Sequence, residues 1–125
     1  MSDRRRVGKA TLGNNMRGNR YLCSHFVKPA LERIVTGKVS SVFDRVAIVS
    51  KFANGCSIEE DDFPEFVRSD WHTIQTAWAK PISPDYRGIA DEWGAWAHSL
   101  TRTEAKHVLE CFLRIAYAVI SRKEE

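Results

Sequence analysis

The sequence predicts an all-α protein, a compact bundle of five or six short helices preceded by a flexible basic N-terminal arm. Three observations lead to this fold class. After residue 22, apolar residues recur at intervals of three and four, which is the period of an amphipathic helix. Residues typical of helix starts and stops bracket these stretches. The first 22 residues lack this period and are strongly basic.

The size and composition of the chain suit one helical domain over residues 23–125. A chain of 125 residues with 43% apolar residues can bury a single core without a metal or a disulfide. Its three cysteines, an odd number at wide spacing, favour reduced thiols over a secreted disulfide framework. Because no apolar run reaches a membrane span of roughly 18 residues and no signal peptide is recognisable, we expect a cytoplasmic protein without membrane association.

The basic arm is predicted over residues 1–22. It carries six cationic side chains and one carboxylate, which gives a net charge of +5. Because the whole chain has a net charge of +3, the remaining residues have a net charge of −2. Its few apolar side chains cannot offset a backbone ordering cost of about 1–2 kcal/mol per residue. Cationic side chains bind phosphates with release of counterions, although a solubilising terminus is the alternative. The candidate phosphate contacts are Arg4, Arg5, Arg6, Lys9, Arg17 and Arg20.

Two helices are predicted between residues 23 and 55. The first has Pro29 near its start, where a missing N–H costs nothing, and Gly37 at its end. The second begins with Ser41 as N-cap and ends at Asn54-Gly55. Because apolar residues cover most faces of the second helix, we expect it to be buried.

An acidic segment follows, with five carboxylates within seven residues: Glu59, Glu60, Asp61, Asp62 and Glu65. Consecutive carboxylates point in several directions, and the spacing of a calcium loop is absent. Ser57 and Glu60 fit a capping box, and Pro64 fits a further helix start. The sequence therefore favours helix-start electrostatics, with a docking face for a basic partner as the alternative.

The four tryptophans lie in two further predicted helices. Trp71 and Trp78 share one face of a helix that Ser69 caps and that ends before Pro81. A single amphipathic helix is predicted over residues 83–100, with an apolar stripe formed by Tyr86, Ile89, Trp93, Trp96 and Leu100. Acidic neighbours would repel phosphate, so we expect Trp93 and Trp96 to pack inward and not to stack on a nucleobase.

The run Trp-Gly-Ala-Trp-Ala at residues 93–97 resembles a run in the first helix of one class of lambdoid phage late-gene antitermination proteins. The resemblance covers five residues, and no function is carried over from it.

The last helix begins with a Thr101–Glu104 capping box and continues as about five amphipathic turns. Glu110 and Arg114, four residues apart, are predicted to form an ion pair on its outer side.

Candidate ligands for zinc occur as two pairs: Cys23 with His25, and His107 with Cys111. The second pair shares a helix face, as a zinc site requires, but Cys-x-His is not a common zinc motif. A Cys–His catalytic pair is a further alternative, whereas no phosphate loop, nucleophile elbow or metalloprotease motif occurs. We therefore expect no metal, no cofactor and no enzymatic activity.

These patterns predict a non-enzymatic regulatory protein that associates with nucleic acid through its basic arm. The alternative is a protein–protein interaction module, such as a phage or mobile-element accessory or inhibitor protein that acts on a host protein complex. In that case the acidic segment or an exposed tryptophan would anchor the partner.

Overall fold

The computed structural model of the protein describes residues 18, 20–37, 41–88 and 91–121. Within these residues, the structure assigns the α-helices α1 (Lys28–Thr36), α2 (Val42–Asn54), α3 (Arg68–Trp78), α4 (Glu92–His98) and α5 (Arg102–Ser121). Single 3₁₀ turns occur at Glu60–Asp62, Glu65–Val67 and Pro84–Tyr86, and the described residues contain no strand. The all-α prediction is confirmed. No described helix combines the length and the apolar character that a membrane span requires.

The N-terminal helix begins earlier than Pro29. Residues 20–22 are helical, and a π-helix, Cys23–Val27, leads directly into α1. Pro29 has no N–H to donate to the carbonyl of His25, four residues back. The thiol of Cys56 donates to that carbonyl instead, at 3.2 Å. A contact from a distant loop thus compensates for a proline inside a longer helical run.

The described part of the helical body includes Gly18 and residues 20–22. Leu22 is fully buried, and the hydroxyl of Tyr21 accepts a hydrogen bond from the backbone N–H of Ser57 at 2.8 Å. Gly18 is buried beside Asp62, where an added Cβ would lie 2.7 Å from Oδ1. Residues 1–17, which include five of the six predicted phosphate contacts, lie outside the described residues, whereas Arg20 is described and exposed.

The core is centred on α2, which packs against α1, α4 and α5, while α3 packs along α5. Phe26, Phe63 and Phe112 are the largest fully buried side chains. The rings of Phe26 and Phe112 lie 5.4 Å apart, so the N-terminal helix and α5 meet directly. Each such burial contributes about 1.5–3 kcal/mol relative to an exposed ring. The packing of α3 along α5 leaves a seam at the surface.

Several predicted caps are confirmed. Ser41 Oγ accepts from the N–H of Asp44 at 3.1 Å at the start of α2. Thr101 and Glu104 form the reciprocal capping box of α5, with distances of 2.8 and 3.0 Å. The cap predicted at Ser69 is wrong, because a 3₁₀ turn continues directly into α3 and places this serine inside the helix.

The single helix predicted over residues 83–100 is also wrong, since it is divided into two pieces. Pro84–Tyr86 forms an isolated 3₁₀ turn, and Gly88 follows with φ 91°, a left-handed conformation that favours glycine. Asp91 then starts α4 as its N-cap, with Oδ1 accepting from the N–H of Gly94 at 2.7 Å. Turn chemistry at Gly88 and a cap at Asp91 override the apolar period.

Candidate interaction surfaces

The four tryptophans form a row of rings that joins α3 to α4. Trp71 and Trp78 lie 5.6 Å apart, Trp78 and Trp93 5.9 Å, and Trp93 and Trp96 5.6 Å, all in edge-to-face arrangements. The rings at both ends of the row are buried, and the middle two are half-buried and packed against the core. The prediction that Trp93 and Trp96 pack inward is confirmed.

Hydrogen bonds fix two of these indoles. Trp78 Nε1 donates to Oγ of Ser50, a fully buried residue, at 2.9 Å. Trp96 Nε1 donates to the carbonyl of Ala77 at 3.0 Å. A buried indole with a satisfied N–H has what a core tryptophan requires. The tryptophan row is therefore structural and does not provide a base-stacking platform.

Two carboxylates of the acidic segment accept hydrogen bonds from the backbone of the same segment. The Glu59 side chain accepts from the N–H of Asp62, while Asp62 Oδ2 accepts from the N–H of Glu59 at 2.9 Å. The capping box predicted from Ser57 is thus wrong by two residues, because Glu59 is the N-cap. Glu60 Oε1 lies 2.9 Å from Nε2 of His72. Asp61 and Glu65 are exposed and make no hydrogen bond with the described residues, so their carboxylates are the least engaged of the five.

Asp62 marks the contact between the acidic segment and the start of the helical body. Burial raises the pKa of the Asp62 carboxyl, and the carboxylates of Glu59 and Asp61 add to this rise, whereas the hydrogen bond from the Glu59 N–H lowers the pKa. Gly18 lies directly against the Asp62 side chain. Gly18, the first described residue, therefore lies beside the acidic segment.

An apolar groove lies between the start of α3 and the second half of α5, with a volume of about 420 Å³. It is lined by Phe66, Val67, Asp70, Leu113, Arg114 and Tyr117. Phe66 is 75% exposed, Leu113 48% and Tyr117 76%. Among the described residues, only one other large apolar side chain, Val35 on α1, is exposed. Because exposed apolar side chains that gather at one place mark interaction sites, the apolar groove is the leading candidate surface of the body.

An ion pair links the two walls of the apolar groove. Arg114 Nε and Nη2 both donate to Oδ1 of Asp70, at 3.0 and 2.9 Å. Asp70 raises the pKa of the guanidinium of Arg114. The pair predicted between Glu110 and Arg114 is not formed, because Asp70 lies across the groove and Glu110 lies 3.9 Å from His107. The Asp70 side chain is 13% exposed and that of Arg114 is 53% exposed, so the guanidinium remains open to solvent.

The residues considered as zinc ligands do not converge. The ring of His25 stacks on Tyr21, with centroids 4.6 Å apart. Cys111 is buried, and Arg114 Nη2 donates to its sulfur at 3.5 Å. Burial, with a contribution from nearby Asp70, raises the pKa of the Cys111 thiol and so disfavours the thiolate that binds zinc. Within the described residues, no group of three or more His, Cys, Asp or Glu side chains could hold a metal ion.

The residues that line the apolar groove were not among the predicted site residues. A signal was present on α5, since Leu113 and Tyr117 lie four residues apart and outside the apolar stripe, where polar residues are expected. Phe66 gave no comparable signal, because its exposure depends on the 3₁₀ turn that precedes α3.

Comparison with known proteins identifies no relative: no protein-family model, curated protein or solved structure matches this chain.

Proposed function

We propose that this chain is a small non-enzymatic regulatory protein that associates with nucleic acid through residues 1–22. One observation carries the proposal, namely the separation of charge between a segment of +5 and a remainder of −2. A polyphosphate attracts the first part and repels the second, so the chain approaches nucleic acid with its N-terminal end. The affinity comes from the release of counterions at each neutralised phosphate.

The first described turn supports the proposal, because it is packed on the body and carries one of the proposed phosphate contacts. Leu22 is buried and Tyr21 accepts the hydrogen bond from Ser57, so the backbone is anchored from residue 21 onwards. Arg20 is exposed on the same turn and can reach a phosphate. The other proposed phosphate contacts are Arg4, Arg5, Arg6, Lys9 and Arg17. Phosphate contacts carry no sequence information, so the proposed binding tolerates any base sequence.

A salt titration tests the proposal. We expect the full chain to bind a labelled duplex and a labelled single strand at low salt, with duplex log affinity falling by about 0.9 per decade of salt for each phosphate contact. In a variant that combines Arg4→Gln, Arg5→Gln and Arg6→Gln, three phosphate contacts are removed. The slope of log affinity against log salt should therefore be smaller in magnitude by about 2.7. The matched control combines Lys28→Gln, Arg33→Gln and Lys106→Gln, three exposed cations of the body.

The control variant should keep the salt slope of the unmodified protein. Absence of binding at low salt, or equal loss of slope in both variants, would contradict the proposal, because the affinity would then not reside in the N-terminal segment.

A protein–protein interaction module, such as a phage or mobile-element accessory protein acting on a host complex, is the second candidate function. The apolar groove favours it, because its rings are exposed without a partner among the described residues. The acidic segment favours it less, since Glu59 and Asp62 serve as caps. The two candidates separate in the variant with three arginines replaced, which should lose nucleic-acid affinity and keep any association made by the apolar groove.

A further inference from the structure

We infer that the apolar groove is a self-association surface and that a second copy of this chain occupies it in solution. The inference goes beyond nucleic-acid binding and does not depend on it. Its first basis is the gathering of Phe66, Leu113 and Tyr117 around one groove. Single exposed apolar side chains are common, but a group of three next to a recess costs solubility unless something covers it.

The residues of the groove suit a two-fold interface. In such an interface the same patch of each copy must offer both the protruding groups and the recess that receives them. Phe66 and Tyr117 are each about three-quarters exposed at the groove, whereas Val67, which also lines it, is buried. One copy can therefore insert its rings into the recess of the other and receive the same contact in return.

The charges on the outer face of α5 favour a second copy over a strongly charged partner. Glu110 lies about one turn before Arg114 and Tyr117 on this helix, with the apolar Leu113 between them. When two copies of α5 cross antiparallel near Leu113, Glu110 of each copy faces the turn with Arg114 and Tyr117 of the other. Opposite charges then meet twice across the axis, and the surface is complementary to itself.

Both charged groups have capacity for such a contact. Glu110 is 62% exposed, and Nδ1 of His107 lies 3.9 Å from its Oε1. Arg114 uses Nε and Nη2 for Asp70, and Nη1 makes no hydrogen bond with the described residues. A carboxylate from a second copy would give this nitrogen an acceptor, and hydrogen bonds to charged groups are among the stronger ones.

The expected dimer is weak. Stable interfaces bury on the order of 1,200–2,000 Å² in total, and three apolar side chains per copy lie at the small end of this class. We therefore expect a dissociation constant on the order of 1–100 μM, within the range that equilibrium methods measure directly.

Sedimentation equilibrium of the full chain, without nucleic acid and over a range of concentrations that brackets this constant, tests the inference. The average mass should rise from that of one chain towards that of two. Phe66→Glu and Tyr117→Glu should each weaken the association at least tenfold, because each places a carboxylate in the shared apolar contact. The matched control is Val35→Glu, an equally exposed apolar side chain on α1, which should leave the association unchanged.

Chemical unfolding of each variant is the control for the fold, and we expect all three variants to unfold as the unmodified protein does. A single-chain mass at every concentration would overturn the inference and leave the apolar groove to a different protein. Association that persists in both groove variants, or that is lost equally in Val35→Glu, would overturn it as well, because the contact would then lie elsewhere. None of these results bears on the salt titration, so the two proposals fail separately.

Discussion

The tryptophan row and the apolar groove are both rich in aromatic side chains, yet the protein uses them in opposite ways. Trp71 and Trp96 are buried at the ends of a row of interlocked rings, and two indole N–H groups of the row are hydrogen-bonded. Phe66 and Tyr117, in contrast, line the apolar groove and each expose about three-quarters of their surface. The contacts around an aromatic side chain, and not its type or spacing, separate a structural ring from one that is available to a partner.

Alanine substitution should destabilise the protein far more in the tryptophan row than in the apolar groove. We expect Trp96→Ala to lower the free energy of unfolding by about 3–5 kcal/mol, because it empties a buried site and removes the ring contact with Trp93. Tyr117→Ala should change it by no more than about 0.5 kcal/mol, since its ring is 76% exposed. Urea denaturation measures the free energy of unfolding of both variants. Unfolding is followed by far-ultraviolet circular dichroism, because tryptophan fluorescence would itself change in Trp96→Ala.

Similar losses for the two variants would contradict the comparison. A large loss at Tyr117 would mean that the ring is already covered at the concentration of the measurement, and dilution would then reduce the loss.

The sequence predicted the interior better than the surface for a physical reason. The period of three and four identified Trp71, Trp78, Trp93 and Trp96 as inward-facing, because burial on a helix follows directly from that period. The same period wrongly extended α4 to residues before Asp91. The hydrogen bond from the Gly94 N–H to the Asp91 side chain decides where this helix begins.

Surface features escaped prediction because they depend on two elements at once. The walls of the apolar groove come from α3 and α5, and Arg114 pairs with Asp70, a residue 44 positions away, and not with its helix neighbour Glu110. The contact between the Cys56 thiol and the His25 carbonyl likewise joins residues 31 positions apart. No single stretch of sequence contains such a pair.

The cap of α4 offers a test of how the row is held. This helix has seven residues and carries Trp93 and Trp96, so its stability depends strongly on its start. Asp91→Ala removes the acceptor of the Gly94 N–H and should cost about 1 kcal/mol at neutral pH. Asp91→Asn keeps an oxygen acceptor and should cost less.

The effect of Asp91→Ala should depend on pH. The hydrogen bond from Gly94, with that from Lys51, lowers the pKa of the Asp91 carboxyl in the folded protein. The ionised side chain therefore stabilises the fold fully above the unfolded-state pKa of about 3.9, and this stabilisation is lost as the pH falls through the lower folded value. Unfolding measured at steps from pH 7 to pH 3 should show the two proteins converging at acidic pH. A constant difference would show that the carboxylate charge contributes nothing.

The acidic segment repeats the comparison with carboxylates in place of rings. Glu59 and Asp62 are held by reciprocal hydrogen bonds, whereas Asp61 and Glu65 are exposed without one. Gly18, to which the basic residues 1–17 are joined in the sequence, lies against Asp62 of the acidic segment. Tethering gives them a high effective concentration for this contact, although each exposed pair contributes only about 0–1 kcal/mol.

We therefore expect the acidic segment to compete weakly with nucleic acid for the basic residues. Combining Asp61→Asn with Glu65→Gln should raise low-salt affinity for a duplex by about two- to fivefold, which corresponds to about 0.4–1 kcal/mol. The control, Glu32→Gln with Glu92→Gln, removes two exposed carboxylates from α1 and α4 and should raise it less. The increase should shrink when Arg4, Arg5 and Arg6 are replaced by glutamine, because the competing contact is then already weakened. An equal increase in both backgrounds would mean that the segment only repels phosphate, and no increase in either would mean that it serves only to start the helix that follows.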